Sequence, residues 1–154
     1  MCGIVAVTGY KKAVPLLMNG LEKLEYRGYD SAGIAIINSE TNSITCKKAE
    51  GKLKNLINNL TDKNIPGTVG IGHTRWATHG KPEVKNAHPH TDSSGNIAVV
   101  QNGIIENFRN LKSKLEQEGV VFSSDTDTEV IPHLIQRELN TLSKLNLENN
   151  GSTL

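Results

Sequence analysis

The chain opens Met1-Cys2-Gly3-Ile4-Val5-Ala6-Val7, an apolar run with a β-branched bias that begins at the second residue. Such a run reads as a buried strand, so the fold has to hold its own N-terminus at or beside its core. The small second residue lets aminopeptidase remove Met1, and the mature chain then starts at Cys2. A cysteine there carries a thiol and a free α-amine, groups with intrinsic pKa values of about 8.5 and about 8. The amine is partly neutral near physiological pH and can take the thiol's proton, directly or through one water. Nucleophile and general base then belong to a single residue. The alternative is an inert cysteine buried at the head of a strand, a common place for a free thiol.

The length, 154 residues, is one domain's worth and enough to bury a core. Seventeen basic and sixteen acidic residues leave a net charge of +1, which argues against nucleic acid or an anionic membrane surface as a partner. Only Cys2 and Cys46 are present, and the start lacks the charged and apolar regions of a secretory signal. Both points favour a reducing, cytoplasmic setting over a disulfide framework. Apolar runs such as Ile34 to Ile37 are far too short to span a bilayer.

Residues 3–8 read as a strand. Val14, Leu17, Leu21 and Leu24 line one face of a helix over 13–25. Two strands, Ala32 to Ile37 and Ile44 to Ala49, flank a polar turn, and Leu53, Leu56, Ile57 and Leu60 mark a short amphipathic helix. Further strands are expected at Thr68 to Thr74, Ile97 to Gln101 and Val120 to Phe122. A helix carrying Ile104, Phe108, Leu111 and Leu115 stops near Gly119. The last helix, capped near Asp127 or Thr128, buries Ile131, Leu134, Ile135 and Leu139, with Pro132 close to its first turn. Strands and helices mix without a regular βαβ beat, so an α+β architecture fits better than a doubly wound one. From Asn140 the chain turns rich in Asn, Ser and Thr, and residues 140–154 are expected to form a loose polar tail.

Several segments carry groups suited to chemistry. Gly70 to Gly80 leaves a strand and crowds Arg75, Trp76, Thr78 and His79 into a polar loop. Arg75 offers a planar fork that suits a carboxylate; the alternative is a surface arginine beside a half-buried tryptophan. Asn102-Gly103, at the end of a strand, is either a hairpin turn or a side-chain amide and a backbone N–H converging on one oxygen, an oxyanion hole. His88-Pro89-His90 has metal-compatible spacing, yet no clustered Cys or carboxylate completes a set, so a loop-ordering role is favoured and neither metal nor cofactor is expected. Asp125 to Glu129 reads as a helix cap and first turn, with one carboxylate able to point into a pocket and hold an ammonium group. Cys46 sits mid-strand and is taken as structural.

With these blocks in view, the chain closely resembles the glutaminase (class II glutamine amidotransferase) domain of the glutamine–fructose-6-phosphate aminotransferase family. The resemblance rests on Cys2-Gly3-Ile4-Val5, Tyr26 to Gly33, His73 to Gly80, Asn86 to His90, Asn102 to Asn107 and Thr126 to Glu129, in order, over residues 1 to about 139. It implies an N-terminal-nucleophile hydrolase fold, a four-layer αββα sandwich. It also implies roles: Cys2 as the nucleophile forming a γ-glutamyl thioester, and Asn102 and Gly103 as the oxyanion hole. Arg75 would grip the substrate α-carboxylate with Thr78 and His79 lining the same pocket, Asp127 would receive the α-ammonium, and Trp76 would belong to the loop closing over glutamine. Arg27 and its block resemble the scaffold around Cys2. Implied partners are glutamine and, through an isomerase region absent here, fructose-6-phosphate, with a homo-oligomeric parent.

Two departures stand out. Gln101 occupies a position where the family more often has His, which should change packing behind the oxyanion hole. The family's domain also continues through further strands, so residues 1–139 are expected to be a partial domain, incomplete at its C-terminal side and weak or inactive alone. A glutaminase unit of another amidotransferase, such as amidophosphoribosyltransferase, and a non-catalytic glutamine-binding fragment are the alternatives.

Overall fold

The computed structural model describes residues 1–60, 65–77 and 81–150, the last five as backbone only. Its elements in chain order are β1 (Gly3–Val7), α1 (Ala13–Leu24), β2 (Ser31–Asn38), β3 (Ser43–Glu50), α2 (Leu53–Asn59), β4 (Gly70–Arg75), β5 (His90–Thr91), β6 (Ala98–Val99), α3 (Phe108–Gln117) and α4 (Val130–Asn150). The first four strands form an antiparallel sheet in the order β1-β4-β2-β3, and β5 pairs with β6 in a second, two-stranded sheet.

The alternation of β2 separates two faces. Ala32, Ile34 and Ile36 point to one side, where Leu17 and Leu21 of α1 and Leu53 and Leu56 of α2 close a fully apolar core over them. Burying a side chain of this size is worth about 1.5–3 kcal/mol, and α1 takes its place because its apolar residues recur every three or four positions. Gly33 points to the other side. A Cβ there would stand 2.1 Å from the His88 carbonyl oxygen, so only glycine lets the segment before β5 come down onto the sheet. Across that second layer lies α4, packed over β5 and β6 and flanked by α3. The layers therefore run helix, sheet, sheet, helix, the αββα arrangement expected, with a much reduced second sheet.

Asn38 shapes the β2–β3 turn by accepting the N–H groups of Glu40 and Thr41 at 2.9 and 3.3 Å. Gly119 (φ 91°) stops α3. Four expectations need correction: Ile104 lies outside α3, Ile135 and Leu139 of α4 are exposed rather than buried, and two segments differ in structure. Val120 to Phe122 joins no ladder among the described residues; instead the Phe122 ring packs edge-on against His133 at 4.9 Å and beneath the Lys112 ammonium at 4.8 Å. The segment from Asn140 continues α4, which runs to Asn150, and the rest of the expected tail lies outside the described residues. Its polar residues extend the helix with one-turn bonds: Gln136 to Asn140 at 2.8 Å, Thr141 to the Arg137 carbonyl at 3.0 Å and Ser143 to the Leu139 carbonyl at 2.9 Å.

Candidate active site

At the rim where β1 begins and β4 ends, a cleft of about 270 Å³ opens between the sheet, the bend at Gln101–Ile104 and the turn at Thr126–Thr128. Cys2 reaches it because β1 begins at the next residue and the register Gly3↔Thr74 lays it beside the end of β4. The Trp76 N–H donates to Cys2 Sγ at 3.4 Å, and the thiol faces the Trp76 carbonyl at 3.8 Å. One backbone unit can thus accept from a thiol and donate to a thiolate. Arg27 Nε holds the Cys2 carbonyl at 3.4 Å, while the exposed Met1 also lines the cleft.

The walls carry opposite charges. Arg75, last residue of β4, is 4% exposed and Asp127 is 5% exposed. Burial pushes the Arg75 guanidinium below its usual range, and Cys2, Asp30 and Asp127 lie near enough to oppose that shift. Arg75 Nη1 donates to the Lys81 carbonyl at 3.3 Å; Asp127 Oδ2 accepts the Ile105 N–H at 2.7 Å. A fixed cation and a fixed anion in one partly dry cleft can hold a zwitterion by both ends. Asn102 and Gly103 form an exposed bend on the same rim. They are not a hairpin turn, because β6 pairs back to β5 and the chain beyond Gly103 leads into α3.

A column of buried imidazoles stands behind that bend. His73 stacks on His88 at 4.3 Å, and His90 meets His88 edge-on at 4.7 Å. Burial lowers all three: His73 to about 4, His90 to about 3, and His88 further still, with its two neighbours adding to the effect. They are neutral near pH 7, and their tautomers follow from their partners. His73 Nε2–H donates to the Gln101 carbonyl at 3.0 Å, and His88 Nδ1 accepts the Gln101 N–H at 3.3 Å. His90 Nε2 shares a hydrogen bond of 2.9 Å with Thr126 Oγ1. The His88-Pro89-His90 motif thus orders the two loops of the cleft. Among the described residues no group of three His, Cys, Asp or Glu is arranged to hold a metal.

Six of the residues singled out in the sequence (Cys2, Arg75, Trp76, Asn102, Gly103 and Asp127) line this one cleft. Thr78 and His79 lie outside the described residues. Cys46 sits away from the cleft in β3, its Sγ 4.0 Å from the Pro89 carbonyl and its pKa raised by burial. Sequence reasoning gave no individual role to two carboxylates, the partly buried Asp30 and the buried Glu129. Asp30 Oδ2 accepts the Ala77 N–H at 2.7 Å while its own N–H donates to the Arg75 carbonyl at 3.0 Å, fixing the stem of the Trp76 segment. Glu129 accepts the N–H groups of Ser123 and Ser124 at 2.8 and 2.7 Å. Burial alone would raise its pKa, but His133 and the two serines outweigh that and hold it well below the usual carboxylate range. For Glu129 the sequence offered its place in the acidic cap at Asp125 to Glu129, three residues after Thr126, the spacing of a capping box.

Fold and cleft together define a glutamine amidotransferase domain; that family matches residues 58–146, more than half of the chain, and the chain belongs to it. Among curated relatives, the isomerizing glutamine–fructose-6-phosphate aminotransferase of Thermosynechococcus vestitus is 59% identical over 135 residues, covering 88% of this chain and 21% of that protein. The enzyme of the same name from Pyrococcus horikoshii is 56% identical over 139 residues, covering 90% and 23%. The chain therefore spans about a fifth of the length of these relatives. Among solved structures, glutamine phosphoribosylpyrophosphate amidotransferase from B. subtilis superposes with a TM-score of 0.74 at 32% identity, covering 88% of this chain and 29% of that one. A structure described as the allosteric regulatory enzyme of purine biosynthesis gives 0.75 at 34%, covering 88% and 30%. No helix among the described residues is long and apolar enough to cross a membrane.

Proposed function

We propose that this chain is the glutaminase unit of an isomerizing glutamine–fructose-6-phosphate aminotransferase. The observation that carries this reading is the convergence, on one cleft, of a second-position cysteine, a buried arginine, a buried aspartate and the Asn102–Gly103 bend. Removal of Met1 frees the Cys2 amine and clears a side chain from the cleft lining. The amine takes the thiol proton, the thiolate attacks the side-chain amide carbon of glutamine, and Asn102 with the Gly103 N–H meets the developing oxyanion. The protonated amine returns its proton to the leaving nitrogen, so ammonia departs and a γ-glutamyl thioester remains, which water hydrolyses to glutamate. Arg75 and Asp127 hold the α-carboxylate and α-ammonium, and Trp76 covers the substrate. Ammonia passes to fructose-6-phosphate on a part of the parent protein outside this chain, working in the cytoplasm as a homo-oligomer. The sugar is preferred over phosphoribosyl pyrophosphate as the acceptor because the sugar-phosphate relatives are 54–59% identical, against 32–34% for the purine-pathway structures.

The test is glutamate release from glutamine by protein that begins at Cys2, with the thioester trapped by hydroxylamine as the γ-glutamyl hydroxamate. Arg75→Lys, which replaces a planar fork by a point charge, and Asp127→Asn are each expected to raise KM for glutamine at least about tenfold, since stripping one partner from a desolvated charge pair typically costs about 2–5 kcal/mol. Unchanged affinity in both variants would make these residues structural and refute the assignment.

A further inference from the structure

Beside the backbone bond from the Ile105 N–H to Asp127, Gln101 links the two loops of the cleft through its side chain. Its backbone is pinned on both sides, the carbonyl by His73 and the N–H by His88, at 3.0 and 3.3 Å. Its side chain continues the bracing: Thr128 Oγ1–H donates to Gln101 Oε1 at 2.9 Å. The other end of the same carboxamide lies against Gly103, where Nε2 is only 3.1 Å from the position a Cβ would take. One amide therefore spans from the turn that carries Asp127 to the bend that carries Asn102 and Gly103. Thr128 and Gln101 both line the cleft, and the part-buried bond between them forms without substrate.

We infer that Gln101 is a positioning residue, whose carboxamide sets the Asn102–Gly103 peptide at a fixed distance from Asp127 and so locks the oxyanion donors against the ammonium anchor. This rests on the glutaminase reading of the cleft. The physical need is plain: an oxyanion donor stabilises only the position it points at, and a bend of two exposed residues has no ladder of its own to hold that direction. The histidine column supplies a rigid back to the bend, and the Thr128–Gln101 bond supplies the lateral register.

The decisive comparison uses Gln101→Met, which keeps volume beneath Gly103 but cannot accept from Thr128, together with Thr128→Val and the double variant. Because a single oxyanion donor is worth about 10²–10³-fold in kcat, mispointing the pair is expected to lower kcat for glutamate release by about tenfold to a hundredfold in Gln101→Met. KM should stay within about threefold, since the anchors themselves are intact. Thr128→Val should reproduce the kcat loss, and the double variant should be no worse than either single one. Amide hydrogen exchange on the same proteins reads the geometry without chemistry. Exchange at Asn102 and Gly103 should quicken about tenfold or more in Gln101→Met while amides of β2 and β4 keep their rates. Losses that multiply in the double variant, a kcat equal to wild type, or unchanged exchange at Gly103 would each overturn the inference. Failure of wild type to bind a glutamine analogue in the cleft would overturn the glutaminase reading, and the exchange comparison decides whether Gln101 positions the bend even where turnover is too weak to measure.

Discussion

On the glutaminase reading, Cys2→Ala is expected to abolish glutamate release and Cys46→Ala to leave it close to wild type. The contrast follows from where the two thiols sit. Cys2 lines the cleft, is held by the Trp76 backbone and stands next to the chain's first amine once Met1 is gone. Cys46 is half-buried mid-strand, with burial holding its thiol in the protonated form. No other described side chain in the cleft can replace a thiolate, so alanine at position 2 removes the covalent route altogether rather than slowing it. Intact mass supplies the second arm. Protein that retains Met1 has an amide nitrogen where the general base should be, and it should be inactive even with Cys2 present. Full turnover by such a form would mean that the base lies elsewhere.

The second large effect is on stability against pH. His73, His88 and His90 titrate far lower in the folded protein than the ordinary value of about 6.5. Burial is the main cause, and the cations Arg75 and Lys48 add to it at His88 and His90. As pH falls through about 6.5 the unfolded chain takes up three protons that the folded chain refuses until roughly pH 4 or below. Stability is therefore complete above the unfolded value and declines with acidity across that window. With three protons involved, the slope approaches about 4 kcal/mol per pH unit, against a total stability of typically about 5–15 kcal/mol. Glu129 adds a second stage: its depressed pKa contributes stability above the usual carboxylate value, and that contribution is lost only as pH falls below about 4. Circular dichroism should locate a cooperative acid transition between about pH 4 and pH 6. Urea midpoints that do not change from pH 7 to pH 5 would refute the account.

How much of this was legible in the sequence depends on whether local pattern and distant partner agree. β1, β2, β3, α1 and α2 all fall within two residues of where periodicity places them, because each presents an apolar face to the same core. Val120 to Phe122 had strand composition, but three residues cannot announce whether a neighbour exists to pair with them. The end of α4 was misread because Asn, Ser and Thr favour loops on average, whereas here their side chains bond back to carbonyls one turn earlier. Within the cleft, the residues that line it came from motif blocks. What stayed hidden was the wiring: Asp30 under Ala77 and the stacking of His73 on His88 are relations between distant segments, and Glu129 reaches back past the helix cap to Ser123 and Ser124, with no periodic trace in any of them.

The sheet order places β1 at an edge, and among the described residues β4 is its sole strand neighbour. The cysteine at its head is thus attached to an edge strand, where a few ladder bonds separate the closed from the frayed state. Turnover and spectroscopy then measure different equilibria. A circular dichroism signal reports the central strands and helices, whereas the catalytic rate reports the fraction of molecules whose first few residues are seated. On the glutaminase reading, conditions that fray this edge are expected to lower turnover before the circular dichroism signal changes.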